Sequence, residues 1–204
     1  MVLILPIHCC FGTFNGLPKI NKSVIRAWAG ILQRVPGSRL VVKNGSLKDT
    51  GTCEYLMSRF REEGIDPDRV ELFGLVNTTA EHLAFYSRLD IALDTFPYNG
   101  VTTTCEALWM GVPVITLTGR IAACRYGESL LNQVGLPGFV ADSVESYIQL
   151  AVDLAGDRSL RNSLRTELRS RMLNSPLCDE QGFVSRIEAT YRQVWRKWCK
   201  RHAR

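Results

Sequence analysis

The chain has 204 residues, of which 46% are hydrophobic and 22% charged, a composition typical of a globular protein that can bury a sizeable core. Its net charge of +5 at pH 7 is modest, and no run approaches the roughly 20 apolar residues that a membrane helix requires. The seven cysteines include no CxxC pair, which argues against a zinc site or a disulfide framework and predicts reduced thiols in a cytoplasmic protein.

Short apolar runs alternate with amphipathic helical patterns over most of the chain. Strands are predicted at residues 11–15, 39–43, 70–73, 91–93 and 114–117, and helices at residues 23–35, 53–63, 80–87, 103–110 and 125–134. A short apolar piece follows at residues 138–141. Strands that alternate with helices in this way form right-handed crossovers between parallel strands. The pattern therefore predicts an α/β fold with a doubly wound, Rossmann-like parallel sheet.

Residues 143–204 are predicted to form an α-helical tail of three helices. Ser143 is expected to cap the first helix, and the third, from about Asp179, carries Trp195 and Trp198 at helical steps. We expect the tail to pack on the same domain, although this aromatic stripe could equally face a partner. The basic end, WRKWCKRHAR, is interpreted as a solvated helix end, so nucleic-acid binding is not expected.

The segment DTFPYNGVTTT follows the fourth predicted strand and leads into a helix. Ligands of open α/β sheets bind outside the carboxyl ends of the strands, and a helix N-terminus there favours a phosphate. Gly100 permits close approach of a ligand, and Thr102, Thr103 and Thr104 add hydroxyl donors, so the loop predicts a diphosphate site. An alternative stays open, because Thr103 and Glu106 also match a capping box that needs no ligand.

Two more residues are expected at the same edge of the sheet. Lys19 follows the first strand, where it is either a solvated lysine or a cation that offsets the charge of a departing diphosphate. His82 lies in the first turn of the helix after the third strand. It is either a surface residue or a ring that stacks on, or hydrogen-bonds to, a base or ribose.

The chain resembles the carboxyl-terminal half of protein O-linked N-acetylglucosamine transferase, of the bacterial tetratricopeptide-associated type. The stretches that carry the resemblance lie between residues 11 and 199 and are FGTFNGLPKI, ELFGLV, EHLAFYSRLDIALDTFPYNGVTTTCEALWMGVPVITL, RYGESLL and NSPLCDEQGFVSRIEATYRQVWRKWC. The resemblance implies a GT-B fold, in which two Rossmann-like domains face a cleft and this chain is the donor-binding one. It also implies transfer of N-acetylglucosamine from UDP-GlcNAc to serine or threonine hydroxyls, with inversion and without a metal or other cofactor.

The same resemblance assigns roles to individual residues. Lys19 would contact the phosphates as the catalytic residue, His82 would pack near the uridine, and Glu106 would hold the ribose hydroxyls. The implied UDP-sugar-binding residues are Asn15, Gly16, Lys19, Asn77, His82, Asn99, Gly100, Val101, Thr102, Thr103 and Glu106.

Three positions depart from the pattern of the family. Some relatives carry a lysine, an arginine and a histidine where this chain has Thr79, Phe85 and Val101. The contacts of those side chains with base and phosphate are therefore expected to be missing, although the backbone amide at Val101 could still serve.

The domain organisation follows from the same comparison. Residues 1–10 are interpreted as a non-homologous or truncated start, residues 11–142 as the UDP-sugar-binding domain and residues 143–204 as helices on that domain. The amino-terminal Rossmann-like domain and the repeats that recruit acceptor proteins are not recognisable in the chain. We therefore expect UDP and UDP-GlcNAc to bind and the isolated chain to be inactive. The alternative is a non-catalytic UDP-sugar-binding or protein-interaction module.

Overall fold

The strands form one parallel sheet in the computed structural model, which describes residues 9–202. They are β1 (Cys10–Thr13), β2 (Arg39–Lys43), β3 (Val70–Phe73), β4 (Ile91–Leu93), β5 (Val114–Leu117) and β6 (Val140–Ala141). Their order across the sheet is β3-β2-β1-β4-β5-β6, and every neighbouring pair is parallel. This is the doubly wound arrangement, with the order reversing between β1 and β4.

The helices follow the predicted pattern with shifts of a few residues. They are α1 (Lys22–Arg34), α2 (Thr50–Glu62), α3 (Thr79–Ala84), α4 (Thr102–Trp109), α5 (Tyr126–Gln133), α6 (Val144–Gly156), α7 (Arg158–Leu173) and α8 (Glu180–His202). The helix predicted at residues 80–87 is shorter, because α3 gives way to a 3-10 turn at Phe85–Arg88. The first strand ends at Thr13, two residues before its predicted end at Asn15.

One apolar core joins the sheet and the helices around it. Phe11, Leu40 and Ile91 in neighbouring strands are fully buried, as are Trp28 of α1 and Leu108 of α4. Helix α1 contacts α2 and α6, whereas α4 contacts α5 and α7. Right-handed crossovers place helices on both faces of such a sheet, and this explains why the central strands β1 and β4 are almost entirely buried.

Helices α6 and α7 pack as predicted, since Tyr147, Leu154, Leu164 and Leu168 belong to the same core cluster as the strands. Residues on both sides of the boundary predicted between residues 142 and 143 thus belong to one hydrophobic core. Ser143 caps α6 through a reciprocal pair with Ser146, as its sequence position predicted.

Helix α8 differs from the expectation that the whole tail packs on the domain, because none of its residues is buried against the rest of residues 9–202. Its exposed apolar side chains are Phe183, Val184, Ile187, Tyr191, Val194, Trp195 and Trp198. The aromatic pair Trp195 and Trp198 stack on one another, with ring centroids 5.3 Å apart. No helix within residues 9–202 is both long enough and apolar enough to cross a membrane.

Tyr147 of α6 connects two helices to the loop after β4. Its side chain is fully buried, and its hydroxyl accepts a hydrogen bond from Trp28 Nε1 (3.1 Å) and donates one to the carbonyl oxygen of Asp94 (2.8 Å). Burial raises the pKa of this phenol well above its ordinary value, so it stays a donor.

We expect Tyr147→Phe to lower the free energy of unfolding by about 1–3 kcal/mol, because it leaves a buried indole N–H and a buried carbonyl without their partner. Urea denaturation measures the change. Tyr55→Phe is the matched control, since Tyr55 is 66% exposed and its substitution should change stability by less than about 0.5 kcal/mol. Equal effects of the two substitutions would contradict the role given to the Tyr147 hydroxyl.

Candidate functional site

The loops that follow β1 and β4 meet where the strand order reverses. The loop after β1 contains Asn15 and Lys19, and the loop after β4 runs from Asp94 to Gly100 and leads into α4. Two hydrogen bonds join these loops directly. Asn15 Nδ2 donates to Asp94 Oδ1 (3.4 Å) and Lys19 Nζ donates to the carbonyl oxygen of Asn99 (2.9 Å).

Asp94 organises the loop from a buried position, with 2% of its surface exposed. Its Oδ1 accepts from the backbone N–H groups of Thr95 (2.9 Å) and Gly100 (2.7 Å), and its Oδ2 accepts from Thr116 Oγ1 (2.7 Å). Burial raises the pKa of this carboxyl to about 6, and the hydrogen bonds and the charge of Lys19 oppose part of that rise. The carboxylate thus fixes both ends of the turn that precedes α4.

In the part of the chain that the structure describes, no side chain caps the start of α4, although the sequence matched a capping box. Thr103 Oγ1 instead donates to Asn15 Oδ1 (3.2 Å), and Glu106 turns away to accept from His82 and Tyr86. The capping-box alternative is therefore wrong, because tertiary partners have taken both side chains. No side chain of residues 9–202 accepts from the first N–H groups of α4, and these groups can therefore receive an anion.

Gly100 is required by close packing at this point. A Cβ atom there would lie 2.4 Å from Thr103 Oγ1 and 2.8 Å from Asn15 Oδ1. The side chain of Asn99 is also fully buried, and its amide donates to the carbonyl oxygens of Thr95 (2.9 Å) and Leu117 (3.2 Å). The side chain of Asn99 therefore stabilises the loop, and its backbone carbonyl accepts the hydrogen bond from Lys19.

Lys19 lies at the C-terminal end of a 3-10 turn (Leu17–Lys19) that Gly16 precedes. Its ammonium also lies 4.2 Å from the centroid of the Tyr98 ring. Partial burial lowers the pKa of Lys19, and the charge of Asp94 acts in the opposite direction. The structure therefore places this lysine against the loop before α4. Its role towards a diphosphate stays a prediction.

His82 lies on the other side of β1, in a polar cluster surrounded by aromatic rings. Its Nδ1 is 2.7 Å from Lys43 Nζ and its Nε2 is 3.0 Å from Glu106 Oε2, which also accepts from the Tyr86 hydroxyl (3.0 Å). The His82 ring centroid lies 5.6 Å from that of Phe14. The two residues assigned to the nucleoside, His82 and Glu106, are thus directly hydrogen-bonded.

Three of the predicted residues lie at the surface or outside these clusters. Asn77 is exposed, and its backbone N–H donates to the Glu81 carboxylate (2.9 Å) at the start of α3. Val101 is 45% exposed and Thr102 is exposed, so these residues can offer their backbone amides at the open end of α4. Their roles in ligand binding stay predictions.

Sequence reasoning missed Lys43, Tyr86 and Asp94 as members of the site. Lys43 and Asp94 are charged residues that end or follow the apolar runs RLVV and IAL, and that position alone could have indicated the edge of the sheet. Tyr86 gave no comparable signal, because it reads as one more apolar position of a helix.

Within residues 9–202, neither metal-binding side chains nor cysteines add to the candidate site. Among residues 9–202, no three His, Cys, Asp or Glu side chains are grouped so that they could hold a metal ion. The cysteines within this range are free thiols, and burial raises the pKa of Cys9 to about 12 and that of Cys10 to about 11.

The raised pKa of Asp94 predicts a definite pH dependence of stability. The folded state holds this proton up to about pH 6, whereas the unfolded chain releases it near the ordinary value of 3.8. Between these values the native state binds more protons, so the contribution of Asp94 to stability falls as the pH rises, by about 2–3 kcal/mol in total.

Comparison with Asp94→Asn isolates this contribution. We expect the difference in unfolding free energy, wild type minus variant, to decrease between pH 4 and pH 6.5 and to be constant above that range. Urea denaturation at several pH values measures it, and the carboxyl ¹³C shift of Asp94 gives its pKa independently. A shift titrating near pH 4 would contradict the prediction.

Gly100→Ala is expected to lower stability by about 1–3 kcal/mol, because the added methyl group overlaps Thr103 and Asn15. Gly138→Ala is the matched control, since a Cβ atom at Gly138 meets no heavy atom within 4 Å. Thermal or urea denaturation of both variants measures the effect. A Gly100→Ala variant as stable as the control would mean that the turn before α4 can open.

Known proteins are similar to this chain in sequence and in fold. The model of glycosyl transferase family 41 matches residues 5–187, a match that begins upstream of Phe11. The probable UDP-N-acetylglucosamine-peptide N-acetylglucosaminyltransferase SPINDLY of Oryza sativa subsp. japonica is 46% identical over 189 residues, or 93% of this chain and 20% of the rice protein. The probable transferase SEC of Arabidopsis thaliana is 35% identical over 93% of this chain and 19% of its own length.

A solved structure agrees with these sequence relatives. A mutant O-GlcNAc transferase of Thermobaculum terrenum superposes with a TM-score of 0.89 at 37% identity, over 98% of this chain and 39% of that one. The predicted fold class, a Rossmann-like domain of the GT-B type, is thereby confirmed. The chain spans about a fifth of the length of the two plant relatives. On the extent of the family match and the agreement in fold, the chain belongs to glycosyl transferase family 41.

Proposed function

We propose that this chain is the donor-binding part of a glycosyltransferase, and that it binds a nucleoside diphosphate sugar across the edge of the sheet between β1 and β4. The observation that carries the proposal is the uncapped N-terminus of α4 beside Lys19, because both groups favour the same ligand. Within residues 9–202, Thr103 and Glu106, which could have capped the helix, are engaged elsewhere.

The diphosphate would lie at the start of α4. The amides of Thr102 and Thr103 and the positive end of the helix dipole would face it. Lys19 already points toward this turn through the Asn99 carbonyl, so a small movement of its flexible stem would bring the ammonium to a phosphate oxygen.

The nucleoside would lie toward His82 and Glu106. Glu106 uses Oε2 for both of its side-chain partners, His82 and Tyr86. A carboxylate has a second oxygen, and Oε1 would be available to accept from ribose hydroxyls. The rings of Phe14 and Phe85 lie within 6.0 Å of each other beside this cluster and would shield a base from water.

The names of the two plant relatives support UDP-GlcNAc as donor and a peptide as acceptor, and that of the Thermobaculum terrenum O-GlcNAc transferase supports transfer to a hydroxyl oxygen. In the reaction that we propose, the serine or threonine hydroxyl attacks the anomeric carbon from the face opposite the diphosphate. The bond from this carbon to the diphosphate oxygen breaks, and UDP leaves with the electron pair while the configuration inverts. Lys19 and the amides of α4 would stabilise the developing charge, each well-placed donor contributing about 3–4 kcal/mol.

We propose further that a metal ion is not required, since Lys19 and the helix end can offset the charge of the diphosphate. Binding of the donor would then be insensitive to EDTA. The acceptor hydroxyl must also lose its proton to a base, and we assign none of the described residues to that task. The 204 residues by themselves are thus expected to bind the donor without transferring the sugar. A cytoplasmic location stays a prediction that rests on the free thiols.

We expect Lys19→Ala to weaken UDP binding by about 10- to 100-fold and to leave uridine binding unchanged, because the lysine serves the phosphates and not the nucleoside. Calorimetry with UDP, GDP and uridine measures both effects, and the GDP titration tests the choice of base. Lys197→Ala is the control, since Lys197 is an exposed lysine of α8.

Equal weakening of UDP and uridine binding would reject the role of Lys19, and binding of neither UDP nor GDP by the wild type would reject the proposed function. With a chain that supplies the acceptor side, Lys19→Ala should also lose most turnover. UDP binding without any turnover in such a complex would favour the non-catalytic module instead.

A further inference from the structure

Lys43, the last residue of β2, is a charged side chain in an unusual position. Only 2% of the residue is exposed, and its ammonium lies 5.2 Å from the centroid of the Phe14 ring and 5.6 Å from that of Phe85. Burial of an ammonium among aromatic rings is unfavourable unless a polar partner compensates it. The hydrogen-bonding partner found for it within residues 9–202 is His82 Nδ1, at 2.7 Å.

The chemistry of this contact determines where the proton of His82 lies. An ammonium group has donors and no acceptor, so the Nδ1 atom that it faces must carry a lone pair. A neutral imidazole then carries its proton on Nε2, which faces Glu106 Oε2 at 3.0 Å and donates to it. The hydrogen bonds run in one direction from Lys43 through His82 to Glu106.

The orientation of Glu106 follows from the same chain of bonds. Its Oε2 accepts from His82 Nε2 and from the Tyr86 hydroxyl, both at 3.0 Å. If the proton of His82 were on Nδ1, Nε2 would present a lone pair to the carboxylate, and the contact would become repulsive. Glu106 would then turn, and the oxygen left for a ligand would change.

We propose that Lys43 is a positioning residue of the nucleoside site: its ammonium holds His82 in the Nε2–H tautomer and thereby fixes the Glu106 carboxylate that receives the ribose. The proposal rests on the proposed function for the identity of the ligand. The control of the tautomer itself depends only on the three side chains.

A purely structural role would not select a lysine here. Methionine has a similar length and packs well against Phe14 and Phe85 without an ammonium to desolvate. Arginine, like lysine, offers donors and no acceptor. The two substitutions therefore separate packing from hydrogen-bond direction.

The first measurement is the ¹⁵N spectrum of the histidines in the full 204-residue chain without ligand. The chain has three histidines, His8, His82 and His202, and the signals of His82 are assigned by their loss in His82→Gln. At pH 7.5 the wild type and Lys43→Arg should show the neutral Nε2–H form. In Lys43→Met, where Glu106 alone still favours the Nε2–H form, part of the His82 population should shift to the Nδ1–H form. A wild type that is not in the Nε2–H form, or a spectrum unchanged in Lys43→Met, would overturn the proposal.

The second measurement is UDP affinity by calorimetry. Lys43→Met should bind UDP about 10-fold more weakly, and Lys43→Arg within about 3-fold of the wild type, because one misdirected hydrogen bond to a charged group is equivalent to about a tenfold change. Lys200→Met on α8 is the control for loss of a lysine. Equal affinities of Lys43→Met and wild type would overturn the positioning role. If the wild type binds neither UDP nor GDP, the proposed function fails, but the ¹⁵N spectra still decide what Lys43 does to His82.

Discussion

A buried carboxylate, that of Asp94, is the group on which the candidate site depends. It lies directly after β4 and accepts hydrogen bonds from two backbone amides of its own loop and from a threonine of β5. Burial raises the pKa of this carboxyl, and the hydrogen bonds that it accepts lower the pKa in part. These same hydrogen bonds hold the loop in its conformation. The conformation of the turn before α4 and the ionisation of Asp94 are therefore coupled.

The candidate site has two parts, and each contains one lysine and one nearby carboxylate. Lys19 lies near Asp94 on the side of α4 that would receive the phosphates, and Lys43 is linked through His82 to Glu106 on the side that would receive the nucleoside. Burial lowers the pKa of both lysines and a neighbouring carboxylate opposes it in each case. Each cation is thus held in place by protein groups before any ligand binds, which reduces the reorganisation that binding requires.

Helix α8 contrasts with this compact arrangement. The other two tail helices share the core of the sheet, whereas the aromatic and aliphatic side chains of α8 are exposed. A group of exposed apolar side chains of this size is typical of surfaces that make contacts with other molecules.

The sequence by itself determined the order of the strands and helices. The strands of a parallel sheet that helices cover on both faces are mostly apolar, and they can therefore be identified as apolar runs in the sequence. The runs RLVVK, VELF, IAL and VITL are strands with the bounds that were predicted. It also located the loop from Asp94 to Gly100, since loop position follows from strand order.

What only the tertiary structure decided is which polar groups pair. Thr103 and Glu106 were equally suited to cap their own helix, and they bond instead to Asn15 and His82, which are distant along the chain. Which polar groups pair depends on distances between separate loops and not on a local sequence pattern. Lys43 and Tyr86 could therefore be recognised as residues of the site only from the tertiary structure.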